Sequence, residues 1–121
     1  MSNAVIVTGG AIRIGREICL KLSEEGYKIA IHYRSSGDDA RGLQEEIESA
    51  GGKACTIQCD LNDSNSVKGI IKNASDSLGT VVGVVNNASL FVLDRIEDVS
   101  EETWVEHMKV NALAPLLLVQ G

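Results

Sequence analysis

Two arginines stand where a phosphate-bearing ligand would need them. Arg13 lies inside the stretch Thr8-Gly9-Gly10-Ala11-Ile12-Arg13-Ile14-Gly15, and Arg34 lies in His32-Tyr33-Arg34-Ser35-Ser36. Glycine lets a chain turn sharply and leaves no side chain between the backbone and a pyrophosphate. A helix starting behind such a turn offers unpaired N–H groups and the positive end of its dipole to the same anion. The spacing departs from the plain dinucleotide fingerprint: glycines occupy 9, 10 and 15, and Arg13 takes the place of a middle glycine. An arginine cannot leave the backbone bare, but it adds a guanidinium to a phosphate site.

In a dinucleotide fold the end of the second strand meets the adenosine ribose. A carboxylate there hydrogen-bonds the ribose of NAD, whereas a basic residue accommodates the extra phosphate of NADP. After His32 and Tyr33 come Arg34 and two serines, with no acid before Asp38. Arg34 pairs with phosphate and the serine hydroxyls donate to it, which points to NADP(H). The plainer alternative makes Arg34 a solvated loop residue. Asp60, at the end of the third apolar run, either accepts from an adenine amino group or caps the next helix.

These residues need a frame, and the hydrophobic pattern predicts one. Ala4-Val5-Ile6-Val7 leads into the turn, and Ile14, Ile18 and Leu22 recur behind it at helical spacing until Gly26. A second strand is expected at Lys28 to Tyr33, and a second helix from Asp39 to Ala50 on Leu43, Ile47 and Ala50. The third strand is Ala54 to Cys59. The third helix uses Val67, Ile70, Ile71, Ala74 and Leu78, with Asp63 or Ser64 as cap and Gly79 as stop. Val81-Val82-Gly83-Val84-Val85 is apolar on both faces, as a strand covered by helices on both sides should be. Asn86 to about Asp98 reads as a loop, and Ser100 as the cap of a last helix. From Val110 to Val119 that helix is apolar on almost every face, with Asn111 inside it and Pro115 as a kink or an early stop. Strict alternation of strand and helix predicts an α/β chain: one Rossmann-like, doubly wound parallel sheet over residues 1–121, incomplete at four β-α units.

Composition narrows the classes. A net charge of −6 with scattered lysines and arginines argues against a nucleic-acid partner. No apolar run reaches the ~18–20 residues of a membrane span. The N-terminus shows no secretory signal, and an odd cysteine count suggests a reducing, cytoplasmic setting. Cys55 and Cys59 are about 13 Å apart along a strand, too far for a disulfide or one shared metal ion, so small buried hydrophobes are expected and no metal.

Four motifs in order, Thr8 to Gly15, Cys59-Asp60-Leu61, Asn86-Asn87-Ala88-Ser89 and Val110-Asn111-Ala112, resemble the short-chain dehydrogenase/reductase family along the whole chain. The resemblance implies that Asp60 and Leu61 face the adenine. It implies that Asn86-Asn87-Ala88 steadies the central strand beside the cofactor. Asn111 corresponds to the helix asparagine of the catalytic tetrad, which supports a water in the proton relay. Within the family the chain looks most like the pteridine, dihydromonapterin and dihydrofolate reductases, on Arg13, on His32-Tyr33-Arg34-Ser35 and on Asn87-Ala88-Ser89-Leu90-Phe91. That likeness implies cofactor contacts from Gly9, Arg13, Ile14, Gly15, His32, Tyr33, Arg34, Ser35, Asp60, Leu61, Asn87, Ala88 and Ser89. It implies substrate contacts from Arg13, Ser89 and Phe91, the phenylalanine stacking on a pterin; its plainer role is to anchor the loop. Ketoacyl reductases share most of these motifs, so a carbonyl substrate is the alternative.

The family's catalytic serine and Tyr-x-x-x-Lys are not found. Tyr27 and Tyr33 precede the third strand, and neither has a lysine four residues on. The expectation is the cofactor-binding half of an NADPH-dependent reductase, inactive as 121 residues alone, whose parent is a homo-dimer or tetramer. A non-catalytic NADP-binding module is the second reading, and another Rossmann-type protein, such as a methyltransferase or nucleotide-sugar enzyme, the third.

Overall fold

The computed structural model describes residues 3–88 and 100–120. Four strands, β1 (Ala4–Val7), β2 (Lys28–Tyr33), β3 (Ala54–Gln58) and β4 (Val81–Val85), form one sheet in the order β3-β2-β1-β4, every neighbouring pair parallel. The chain thus winds outward from β1 to β3, then returns to the other side of β1 for β4. The order reverses between β1 and β4, the kind of switch point where open α/β sheets leave a crevice.

Alternation along the strands sorts the core into two layers. Val5, Val7, Ile29 and Ile31 face α1 (Arg13–Glu24) and α2 (Gly37–Ser49), where Cys19, Leu43 and Ile47 meet them. Ala4, Ile6 and Ala30 face the opposite layer of α3 (Ser64–Lys68), α4 (Ile70–Leu78) and the last helical segment, through Val67, Ile70, Ala74, Val110, Ala114 and Leu118. Helices on both faces of a parallel sheet are the architecture that the apolar strands predict.

Several details differ from the pattern. First, Ile14 is 71% exposed, and α1 buries Gly15 and Cys19 instead, with Ile18 and Leu22 only packed at the margin. Positions four apart drift around a helix of 3.6 residues per turn, so Ile14 falls off the stripe. Second, the third helix is broken into α3 and α4 at Gly69, where the Gly69 amide donates to Ser66 O in a tighter turn. The cap is Asp63, whose Oδ1 accepts from the Asn65 and Ser66 amides at 3.1 and 3.3 Å. Third, β4 pairs only with β1 among the described residues, and Val82 is half exposed. An apolar strand sequence says nothing about which lateral neighbours it has.

Fourth, the last helix does not stop at Pro115. It runs as α5 (Glu101–Met108), a π turn (Lys109–Leu113) and α6 (Ala114–Gln120). Proline has no N–H for the residue four back, here Asn111, and its ring crowds that carbonyl. The wider π turn immediately upstream makes room for it. Val110, Ala114 and Leu118, one stripe at four-residue spacing, are buried in the core layer that holds α3 and α4, while Met108 and Leu113 are exposed. The second helix begins at Gly37, two residues before the expected Asp39. Among the described residues no helix is long and apolar enough to cross a membrane.

Candidate functional site

The carboxyl ends of all four strands open into one cleft of about 400 Å³. The turn after β1 supplies Gly9, Ile12, Arg13 and Ile14. His32 and Arg34 come from the end of β2, Cys59, Asp60 and Leu61 from the end of β3, Asn87 and Ala88 from the exit of β4, and Val110 from the π turn.

Thr8 clamps the ends of β1 and β4 together. It is 1% exposed; its Oγ1 accepts from the Asn87 and Ala88 amides at 3.0 Å each and donates to Val85 O at 3.4 Å. Asn87 returns the contact, its Nδ2 donating to Gly9 O at 3.1 Å. The glycine turn is thereby tied to the exit of β4. Thr8→Val keeps the shape but leaves the Ala88 amide without an acceptor and the Asn87 amide with Val85 O alone. At about 1–3 kcal/mol for an unpaired buried donor, it should destabilise the chain by about 1–3 kcal/mol, with Thr8→Ser near wild type in urea unfolding.

The glycines leave no room for side chains. A Cβ on Gly10 would stand 2.9 Å from Val7 O and 3.0 Å from Cys19 Sγ, and one on Gly15 would stand 2.1 Å from Gly9 O. Gly15 is therefore a packing element beneath the turn, not part of the cleft lining. Gly9 takes φ +62°, in the left-handed region. Arg13 does too, at φ 55°, so it occupies the glycine-like conformation that its place in the motif suggests. The left-handed region costs an L-residue about 1–2 kcal/mol. Arg13→Gly should leave stability unchanged or raise it by up to about 1 kcal/mol while weakening phosphate-bearing ligands about tenfold. Thermal unfolding and ligand titration of the same variant separate the two effects.

The start of α1 is open. Its cap residue, Ile12, makes no side-chain hydrogen bond, and its first turn holds no acid. The contrast is with Asp63 at α3, which satisfies its own helix. The first amides of α1 thus face the cleft without a capping oxygen, an arrangement suited to an anion. The guanidinium of Arg13 stands at the same lip and has no partner among the described residues.

His32, only 2% exposed, is fully engaged. The Gly9 amide donates to its Nδ1 at 2.9 Å, and its Nε2 lies 2.8 Å from Cys59 O. The Gly10 amide donates to the carbonyl of His32. His32 lines the cleft as a brace between turn and sheet, with no ring nitrogen left for a ligand. Tyr33, its neighbour along the strand, lies on the α1 and α2 side and does not line the cleft; nor does Ser35. Successive strand residues point to opposite faces, which turns Tyr33 away from the side of His32.

Arg34 and Asp60 form an ion pair at 3.7 Å across the mouth of the cleft. Asp60 also accepts from the Asn62 amide through Oδ1 at 2.9 Å, closing the turn before α3. Of the two roles open for Asp60 in the sequence, capping the next helix falls to Asp63 instead; Asp60 fastens the turn with Oδ1 and turns Oδ2 to Arg34. Leu61 is buried beneath it. Asn111 lies in the π turn and is exposed, next to Val110 of the cleft. Ser89 and Phe91 fall outside the described residues. Sequence reasoning missed the bracing roles of Thr8 and His32, and the placement of Ile12 and Val110 in the wall.

A family model described as short chain dehydrogenase matches residues 3–121. The 3-oxoacyl-[acyl-carrier-protein] reductase FabG of Staphylococcus epidermidis is 34% identical over 111 residues, covering 92% of this chain and 46% of the relative. The structure of FolM alternative dihydrofolate reductase 1 from Brucella suis in complex with NADP superposes with a TM-score of 0.92 at 38% identity, covering 98% of this chain and 49% of that one. A blue fluorescent protein from a metagenomic library, in complex with NADPH, superposes with a TM-score of 0.93 at 32% identity, again over 98% of this chain and 49% of the other. The chain spans about half the length of these relatives. With the glycine turn, the Thr8 and Asn87 clamp and the four-stranded order all in place, the chain belongs to the short chain dehydrogenase family.

Proposed function

We propose that these 121 residues bind the adenosine and pyrophosphate half of NADP(H) for an oxidoreductase that reduces a pterin. The observation that carries the reading is the uncapped start of α1, opening into a cleft with Arg13 at one lip and Arg34 at the other. The pyrophosphate lies over the first amides of α1 and meets the Arg13 guanidinium. Arg34 exchanges its partner Asp60 for the 2′-phosphate, and Asp60 turns to the adenine. NADPH, when bound, supplies the hydride. This chain's residues hold it, and Asn111 in the π turn supports the proton relay from its helix. Ser89 and Phe91 complete the pterin side in this reading.

The pterin substrate is supported by Arg13 in the turn and by the likeness to a dihydrofolate reductase. The likeness to a 3-oxoacyl reductase supports a ketoacyl substrate as the second reading. Turnover by residues 1–121 alone is not expected, because no tyrosine in them is followed by lysine four residues on. Three free cysteines support a reducing, cytoplasmic setting, and the exposed Met108 and Leu113 of the last helix support a homo-oligomer.

The test is NADPH consumption by the protein in its full natural length, offered a dihydropteridine, dihydrofolate or an acetoacetyl thioester. Faster turnover of the pterins is expected. Preference for the thioester would move the protein to the second reading, and binding of NADPH without turnover of either would make it a binding module.

A further inference from the structure

The two ring nitrogens of His32 meet groups of fixed polarity. A backbone N–H can only donate and a backbone C=O can only accept. The Gly9 amide therefore requires a bare Nδ1, and Cys59 O requires a protonated Nε2. The neutral Nε2–H tautomer alone satisfies both. An imidazolium would set an Nδ1 proton against the Gly9 amide and lose that bond. The three groups joined in this way belong to the glycine turn, the end of β2 and the end of β3, which are three of the walls of the cleft.

We propose that His32 is a positioning residue for the dinucleotide, its neutral ring fixing the glycine turn, so that protonating His32 releases the turn and weakens nucleotide binding. The proposal rests on reading the cleft as a dinucleotide site. No ring nitrogen reaches the ligand; the effect passes through Gly9 into the turn that opens α1.

The charges around the ring do not oppose this. The turn contributes Arg13, β2 contributes Arg34, and β3 contributes Asp60 and the Cys59 thiol. Asp60 is engaged with Arg34, and burial with the nearby Asp60 and Asp63 pushes Cys59 up to about 11, so it remains a neutral thiol. On the other layer Cys19, pushed up to about 12 by burial, donates to Gly10 O and carries no charge. Tyr33, the neighbour along β2, faces away towards α1 and α2. Two arginines against one carboxylate give His32 no counter-ion of its own. Burial lowers its proton affinity, against a smaller upward pull from the Cys59 carbonyl. The unfolded chain therefore binds this proton more readily than the folded one. The brace contributes fully above about pH 6.5 and is lost as pH falls below it.

Two variants divide the ring. His32→Asn places an acceptor where Nδ1 stands and keeps the Gly9 bond. His32→Gln extends its amide to the Nε2 position and leaves the Gly9 amide unpaired. With the full-length protein at about pH 8, the Asn variant should bind NADPH within about threefold of wild type and the Gln variant about five- to tenfold more weakly. Between about pH 8 and about pH 5, wild-type binding should fall about five- to tenfold further than binding by the Asn variant, since the ligand's own phosphate titration is common to both. Nitrogen NMR of the wild-type ring, without nucleotide, should show a bare Nδ1 and a protonated Nε2. An Nδ1–H tautomer, matching pH profiles, or equal binding by the Gln and Asn variants would overturn the proposal. If either variant fails to fold, the NMR titration of the wild-type ring must still coincide with the fall in binding. If wild type binds no dinucleotide, the reading of the cleft fails, and this proposal fails with it even where the tautomer is as described.

Discussion

Gly15→Ala should abolish dinucleotide binding and cost the fold about 3 kcal/mol or more. The added Cβ would lie 2.1 Å from Gly9 O, 2.7 Å from Asn87 Nδ2 and 2.9 Å from Gly10 Cα. None of these neighbours is the free end of a flexible side chain. Gly9 O and Asn87 Nδ2 are bonded to each other at 3.1 Å, and Asn87 is held in turn through its own amide by Thr8. To admit one methyl group the turn must move away from α1, separating the two components of the anion site. Nucleotide affinity should drop on the order of a hundredfold or more. Gly42→Ala is the control. It lies inside α2 with nothing within 4 Å of its Cβ position, so alanine should be neutral or stabilise by up to about 1 kcal/mol. Urea unfolding and NADPH titration of the two variants should diverge in both quantities. Similar behaviour of both would mean that the packing beneath the turn does not set the site.

Arg34→Ala should cost NADPH roughly 10- to 100-fold in affinity and leave NADH within about threefold, because only NADPH presents a phosphate to the guanidinium. The ion pair with Asp60 limits the size of the effect, since the free protein must give up a contact at 3.7 Å when the phosphate arrives. That contact is largely solvent-exposed and worth little by itself. The loss should shrink as salt is raised, with a Debye length of about 10 Å at 0.1 M. Equal losses for the two nucleotides would place Arg34 at the pyrophosphate or outside the site.

Strand placement was legible because it rests on local pattern. Lys28 to Tyr33 is bounded by Gly26 on one side and a serine-rich turn on the other, and it is observed as β2 with those limits. Alternation of Val5 and Val7 against Ala4 and Ile6 already assigns two faces. The break at Gly69 was not legible, because Val67, Ile70, Ala74 and Leu78 bury the same stripe whether or not the helix is interrupted. The helix through Pro115 was hidden for a related reason: periodicity assumes 3.6 residues per turn, and the π turn changes that register where the proline needs space.

The site divides along the same line. Arg13, Arg34 and Asp60, which line the cleft, stand out in the sequence because their charges have a direct chemical reading at strand ends. Tyr33 packs on the α1 and α2 side, an orientation that its proximity in sequence to Arg34 does not reveal. The bracing function of His32 depends on Gly9 and Cys59, which are 23 and 27 residues away, and no spacing rule connects them. A buried polar residue at a strand end beside a glycine turn is the signal that remains, since such a group must find partners.

Selection of the phosphorylated dinucleotide by this cleft is tested by the ratio of dissociation constants for NADPH and NADH with the full-length protein at neutral pH and low salt. NADPH should bind more tightly by roughly 10- to 100-fold, with the difference removed by Arg34→Ala. Equal affinities, or a preference for NADH, would contradict it.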